Sequence, residues 1–266
     1  MSPLVAFFDS LPVTLEALIV IGGFVFISVG VARLVERLVP RDLLREHNDL
    51  TGFTFAVVGV IYAVLLGFVA IGVWERYSAA ESNTYVEAAA LTSVYRDAAE
   101  FPGSARLRSD IRAYTQDVIT RAWPEMHRGI ESSTNDVEAE RIARDVANLT
   151  PRDMRESDLH QHMIASMAAT LAARDQRLSE GATGLNGVMW GIVVVGGFIT
   201  VAFTYLFGFK NSKMQMAMIG TLALLIGLEL FLTMSLDYPF QGTIAVAPDA
   251  FHRALHAFDA IDRVRH

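Results

Sequence analysis

Residues 50–74 read LTGFTFAVVGVIYAVLLGFVAIGVW, twenty-five positions without a charged side chain. A helix rises 1.5 Å per residue, so about 20 apolar residues cross the ~30 Å hydrocarbon core of a bilayer. This stretch is long enough. Working outward, sixteen uncharged residues separate Glu16 from Arg33, and twenty-nine separate Glu180 from Lys210. Between Lys213 and Asp237 the only charge is Glu229. Residues 75–185, in contrast, hold 18 Asp/Glu and 13 Arg and no long apolar run. The pattern predicts an all-α integral membrane protein with four transmembrane helices and an extramembrane helical insert between the second and third.

The expected division is an N-terminal transmembrane hairpin over 1–75 (spans 14–38 and 51–75) and a helical domain over 76–185. A second hairpin follows over 186–238 (spans 186–208 and 214–236), then an amphipathic tail over 239–266. The N-terminal segment MSPLVAFFDSLPVT has no Lys or Arg and no small-residue cleavage site, so the first span is expected to remain as an anchor. The 266-residue chain is 52% hydrophobic with a formal net charge of -7. Its acidity and lack of basic patches disfavour nucleic acid as a partner. With no cysteine, disulfides, thiolate metal sites and thiol catalysis are excluded.

Four spans put both termini and the insert on one side. The short loops offer Arg33, Arg37, Arg41, Arg45, Lys210 and Lys213, against Arg76, Arg174 and Arg177 opposite. That excess favours cytoplasmic short loops and an extracytoplasmic insert.

No proline lies between Phe53 and Phe101, so the second span and the start of the insert are expected to share one helix of nearly fifty residues. Leu107, Ile111, Tyr114 and Val118 predict a second insert helix ending near Trp123-Pro124. Ser133, Thr134, Asn135 and Asp136 offer caps for a third, with Ile142, Val146 and Leu149 as its stripe and Pro151 closing it. A fourth is expected from about Glu156, with Met163, Met167 and Leu171 on one face for helix packing. Gly181, Gly184 and Gly187 interrupt it at the membrane boundary.

The second span has two contrasting sides. Gly52, Ala56, Gly59, Ala63, Gly67 and Ala70 fall within an arc of about 80° at ~100° per residue. A small-residue ridge lets another helix approach closely, so this side is expected against protein. Thr54, Val57, Ile61, Leu65 and Phe68 lie opposite, open to lipid, to a neighbouring span or to a hydrophobic constriction. Glu229, about two turns inside the fourth span, is an ion-binding or relay candidate, or else a protonated hydrogen-bonding link between spans. Tyr62 and Tyr205 read as structural. Before the second span, His47-Asn48-Asp49 suits helix capping, and Trp74 to Tyr77 suit an interface. Asp237-Tyr238-Pro239-Phe240 fixes a turn after the fourth span, with Asp237 as a cap or a second cation candidate.

No HExxH, Walker, dinucleotide or serine-elbow motif occurs, so no enzyme activity and no cofactor is expected. His252, His256 and Asp259 have metal-compatible spacing, yet Phe251, Leu255 and Phe258 make the same segment an amphipathic helix for the insert or the lipid surface. No metal site is assigned there. His160 and His162 diverge by about 200° on a helix.

Taken together, HNDLTGFTFAVVGVIYAVLLGF (47–68), WPEMHRG (123–129), YLFG (205–208) and LDYPFQG (236–242) resemble the bestrophin-like membrane family of bacteria over nearly the whole chain. The resemblance implies two spans, a helical insert and two more spans. It also implies kinship with bestrophins, pentameric ion channels whose second span lines a hydrophobic neck, which makes Val57, Ile61, Leu65 and Phe68 the pore-lining candidates. The acidic calcium-binding cluster of bestrophins is not seen, since the tail has only the separated Asp249, Asp259 and Asp262. Bestrophins keep their large domain cytosolic, opposite to the charge count here. The expected function is thus an oligomeric, bestrophin-like ion channel in the lipid bilayer, passing inorganic ions along an axis lined by the second span. The alternative is a non-conducting membrane sensor or scaffold whose insert binds a partner.

Overall fold

A computed structural model describes residues 12–40, 48–130, 136–208, 211–242 and 244–265. Among them there are helices and no strands. In chain order they are α1 (Val13–Leu38), α2 (Asn48–Glu100), α3 (Ala105–Asp117), α4 (Trp123–His127), α5 (Asp136–Ala147), α6 (Met154–Ala182), α7 (Gly187–Tyr205), α8 (Ser212–Asp237) and α9 (Asp249–Arg265). Four of them, α1, α2, α7 and α8, are long and apolar enough to cross a membrane, as the charge gaps require. The expected caps Ser133, Thr134 and Asn135, the residue His47, and the loop charges Arg41, Arg45 and Lys210 lie outside the described residues.

The chain divides into two compact units: Ser10–Glu75 with Gly184–Asp237, and Arg76–Thr183 with Tyr238–His266. α2 is one uninterrupted helix of 53 residues, as the proline-free run predicts.

In the membrane unit, α1 and α8 pack backbone to backbone. A Cβ at Gly227 would stand 3.2 Å from the Ile21 Cα, so any larger residue would press the two backbones apart by a few tenths of an ångström. α7 joins the pair through the Phe24 and Phe198 rings, 4.8 Å apart, and through the Tyr205 hydroxyl, which donates to the Ser28 carbonyl at 2.9 Å. At one end the Asn48 side chain donates to the Gly208 carbonyl (3.2 Å) and accepts from the Gly208 N–H (2.9 Å). Asn48 and the Gly208 that closes the YLFG stretch are therefore halves of one clasp. Gln215 adds a bond to the Phe207 carbonyl at 2.8 Å.

The insert unit buries Leu91, Val94 and Ala98 of α2 against Ile111, Ile142 and Met163. Trp123-Pro124 does not end the second insert helix as expected. A π turn over Val118–Ala122 intervenes, and the Trp123 N–H reaches back five residues to the Val118 carbonyl. Pro124 then falls in the first turn of α4, where a missing donor is harmless. The chain turns only at Gly129, whose φ of 67° suits glycine. α6 starts two residues before the expected Glu156, because the Asp153 carboxylate accepts the Glu156 N–H at 2.8 Å. Met163 and Met167 are buried as predicted.

The tail helix α9 packs against the insert. Phe258 stacks on Tyr95 with centroids 4.0 Å apart and planes at 11°. Asp262 accepts from the Tyr95 hydroxyl (2.6 Å), Arg108 (2.6 Å) and Arg112 (3.1 Å), and Arg112 also reaches Asp259 at 2.7 Å. Burial alone would raise the Asp262 carboxyl, but the Tyr95 hydrogen bond and the two guanidinium charges outweigh it and hold it below the usual carboxylate range. A carboxyl depressed in the folded state adds stability above its unfolded pKa, and that stability fades as pH falls through the lower folded value. Acidification below the ordinary carboxylate range should therefore loosen α9 in particular, read as faster hydrogen exchange at Phe258 and Asp262 than in α3. Equal loss in both helices would contradict the assignment.

Candidate functional site

The structure sorts the faces of the second span more finely than periodicity does. The face packed within its own chain is a stripe of Tyr62, Leu66, Val69 and Val73, all buried, which sequence reasoning did not single out as a set. The ridge expected against protein is not covered by its own chain. Ala56 and Ala63 are exposed, and among the described residues nothing lies within 4 Å of a Cβ built at Gly59 or Gly67. Only Gly52 has a neighbour, the Phe207 ring at 3.8 Å.

Of the four bulky candidates, Ile61 (65% exposed), Phe68 (72%) and Val57 (46%) are open, while Leu65 is half-buried. Ile61 and Leu65 border an apolar groove of about 360 Å³ floored by Tyr62 and walled by Ile192, Val195 and Ile199 of α7. A further open row, Phe53, Val60, Val64 and Ile71, runs between ridge and bulky stripe.

Tyr62 fixes α2 to α7. Its hydroxyl donates to the Val193 carbonyl at 3.0 Å. Its ring occupies a socket that exists because residues 196 and 197 are glycine. An added Cβ at Gly196 would stand 2.8 Å from the ring, and one at Gly197 would stand 2.9 Å from the hydroxyl.

The two polar candidates differ. Glu229 is half-buried on α8. Asp237 is buried, accepting from the Leu185 N–H at 2.6 Å and the Trp190 indole N–H at 3.0 Å. The carboxylate ties the end of α8 to the start of α7, where Asn186 caps the helix through the Met189 N–H. The two are not brought together by any hydrogen bond among the described residues.

The insert contains a polar centre that the sequence analysis missed. Glu87 and Arg177 are fully buried and form a bidentate pair, Nε to Oε2 at 2.7 Å and Nη2 to Oε1 at 3.1 Å. Tyr114 donates to Glu87 at 3.3 Å, and burial followed by the nearby Glu87 charge pushes its hydroxyl pKa upward. The guanidinium sits 5.4 Å from the Trp123 ring centroid and 5.7 Å from that of Phe251. It also donates to the Met126 sulfur at 3.0 Å. The WPEMHRG stretch is thus the wall of this centre. A signal existed in the sequence: Glu87 interrupts the stripe Ala80, Thr84, Leu91, Val94 and Ala98 at core spacing.

The model of the Bestrophin-like domain matches residues 22–251. The chain belongs to the Bestrophin-like domain family. Among solved structures it is similar to a leucine-to-threonine variant of a bacterial bestrophin homologue from Klebsiella pneumoniae, at 10% identity and a TM-score of 0.68, over 91% of this chain and 98% of that one. An isoleucine-to-threonine variant of a Klebsiella pneumoniae bestrophin homologue matches at 13% and 0.68, over 90% and 98%. A glycine-to-alanine variant of a protein described only as a membrane protein matches at 11% and 0.67, over 94% and 98%. At these identities the likeness is one of fold. A comparison with curated proteins found no match.

Proposed function

We propose that the chain assembles as a closed homo-oligomer that conducts ions, with α2 nearest the axis and Val57, Ile61, Leu65 and Phe68 lining a hydrophobic neck. The family supports this reading, because bestrophins are pentameric ion channels built around their second span. The observation that carries it is the bareness of α2. A helix with a close-packing ridge on one side and a bulky stripe on the other leaves most of both open in its own chain. In a ring, the ridge meets a neighbouring copy and the stripe turns to the centre. Glu229 and Asp237 are the secondary polar sites. Glu229 is the better ion-binding candidate, since two N–H donors already engage Asp237. The location proposed is the bacterial inner membrane, with the insert extracytoplasmic by the loop charges.

Detergent-purified protein should weigh as a closed oligomer, and liposomes carrying it should pass salt. Replacing Ile61 with Trp should cut the flux about tenfold, equivalent to ~1.4 kcal/mol on the barrier. Tight liposomes around an intact oligomer would favour the sensor or scaffold reading, and a monomeric particle would remove the ring. For orientation, a cysteine at the exposed position Gln161 should react with an impermeant maleimide in intact spheroplasts. Labelling only after lysis would place the insert in the cytoplasm.

A further inference from the structure

The insert unit carries two unfilled surfaces on opposite flanks of α2. The first is a groove between α2 and α9, about 360 Å³, floored by Ala88, Ala89, Ala254 and Ala257. Arg253 stands at one end, over the Tyr85 ring at 5.4 Å, and Arg96 at the other. Among the described residues no hydrogen bond or ion pair reaches Arg96. The second is the outer face of α6, opposite buried Met163 and Met167, where Ala165, Ala168 and Ala172 are exposed between Asp158 and Asp175. One surface is small and cationic at its ends; the other is small and anionic at its ends.

Their registers agree. His162 pairs with Asp97 and Arg177 with Glu87, so α6 runs antiparallel to α2. Asp158 therefore lies toward the Arg96 end, and Asp175 toward the Tyr85–Arg253 end. Eleven residues from Tyr85 to Arg96 span ~16 Å, and seventeen from Asp158 to Asp175 span ~26 Å. Counted from the His162–Asp97 and Arg177–Glu87 pairs at 1.5 Å per residue, Asp175 falls about 6 Å inside the Tyr85 level and Asp158 about 8 Å beyond Arg96, each offset about the length of an extended arginine. Copies related by rotation about an axis along these helices meet at equal heights, and a pair of unlike surfaces closes into a ring. The α6 face lies on the far flank of α2 and cannot fill the groove of its own chain.

We propose that the α2–α9 groove receives the α6 face of a second copy, with Asp175 meeting Arg253 and Asp158 meeting Arg96 across the interface. This inference rests on the closed homo-oligomer proposed above and names a contact within it.

The cysteine-free chain allows a direct test with the full-length protein in membranes. A variant carrying both Ala168→Cys and Ala257→Cys, oxidised with copper phenanthroline, should give a ladder of dimers, trimers and higher species on a non-reducing gel. Co-expressing the two single variants should give dimers only. Arg253→Glu should abolish the ladder, and adding Asp175→Arg should restore it. A full-sized oligomer by native mass with no ladder would overturn the interface and leave the ring standing. A monomeric wild-type protein would overturn both. Cross-linking of the Ala257→Cys variant to a different protein, without a ladder, would assign the groove to another occupant and sink the proposal.

Discussion

Replacing Glu87 with Ala should lower the unfolding temperature of the insert by roughly 10–15 °C, the consequence of about 3–5 kcal/mol. The loss follows from what remains. Arg177 is fully buried, and its guanidinium loses the carboxylate that takes its Nε and Nη2 donors. The Met126 sulfur and the two ring faces are poor substitutes for a full charge. Tyr114 would also lose its hydrogen bond to Glu87. Removing both charges should do far less harm: Glu87→Leu with Arg177→Met should recover most of the stability, because desolvating an ion pair offsets much of its attraction. The measurement is thermal unfolding followed by circular dichroism. A single variant that unfolds within 2 °C of the parent, a shift of under ~1 kcal/mol, would show that the pair is not what holds this centre.

A methyl group at Gly196 should have the second largest effect, at the other end of the molecule's chemistry. With an added Cβ 2.8 Å from the Tyr62 ring, Gly196→Ala must displace the tyrosine or push α7 away from α2. Either change threatens the bond to the Val193 carbonyl at 3.0 Å. Overpacking of this kind costs about 1–3 kcal/mol, and in detergent it should appear as a lower temperature of aggregation. The socket explanation has a sharper test in a double-mutant cycle. In a Tyr62→Ala background the ring is gone, so Gly196→Ala should add almost nothing. Additive losses would mean that Gly196 matters for some reason other than Tyr62.

The sequence yields the scaffold readily because membrane spans are written in one dimension. The charge gaps between Glu16 and Arg33 and between Glu180 and Lys210 are visible without any knowledge of neighbours, and the proline-free run reports the long helix just as directly. Partner choice is a different kind of information. The ridge at Gly52 to Gly67 could be found by its angle, but nothing in that angle says whether the covering helix comes from the same chain. The packed face proved to be the one centred on Tyr62, decided by two glycines more than 130 residues downstream. Pro124 misleads for a local reason: a single π turn changes the hydrogen-bond step and lets a proline sit where a helix would otherwise stop. Asp237 read as a turn residue or an ion ligand because its two donors, Leu185 and Trp190, are about fifty residues away in sequence. Glu87 and Arg177 were legible only as a polar intrusion into an apolar stripe, with the partner ninety positions off.

The three tryptophans of the chain stand in three different settings: Trp74 exposed on α2, Trp190 bonded to Asp237, and Trp123 buried beneath the Arg177 cation. Their excited states should differ accordingly in emission colour and in access to aqueous or lipid-borne quenchers. Keeping one indole and changing the other two to phenylalanine would convert the protein into its own optical gauge, reporting in turn on the bilayer, the hairpin junction and the heart of the insert without any attached dye.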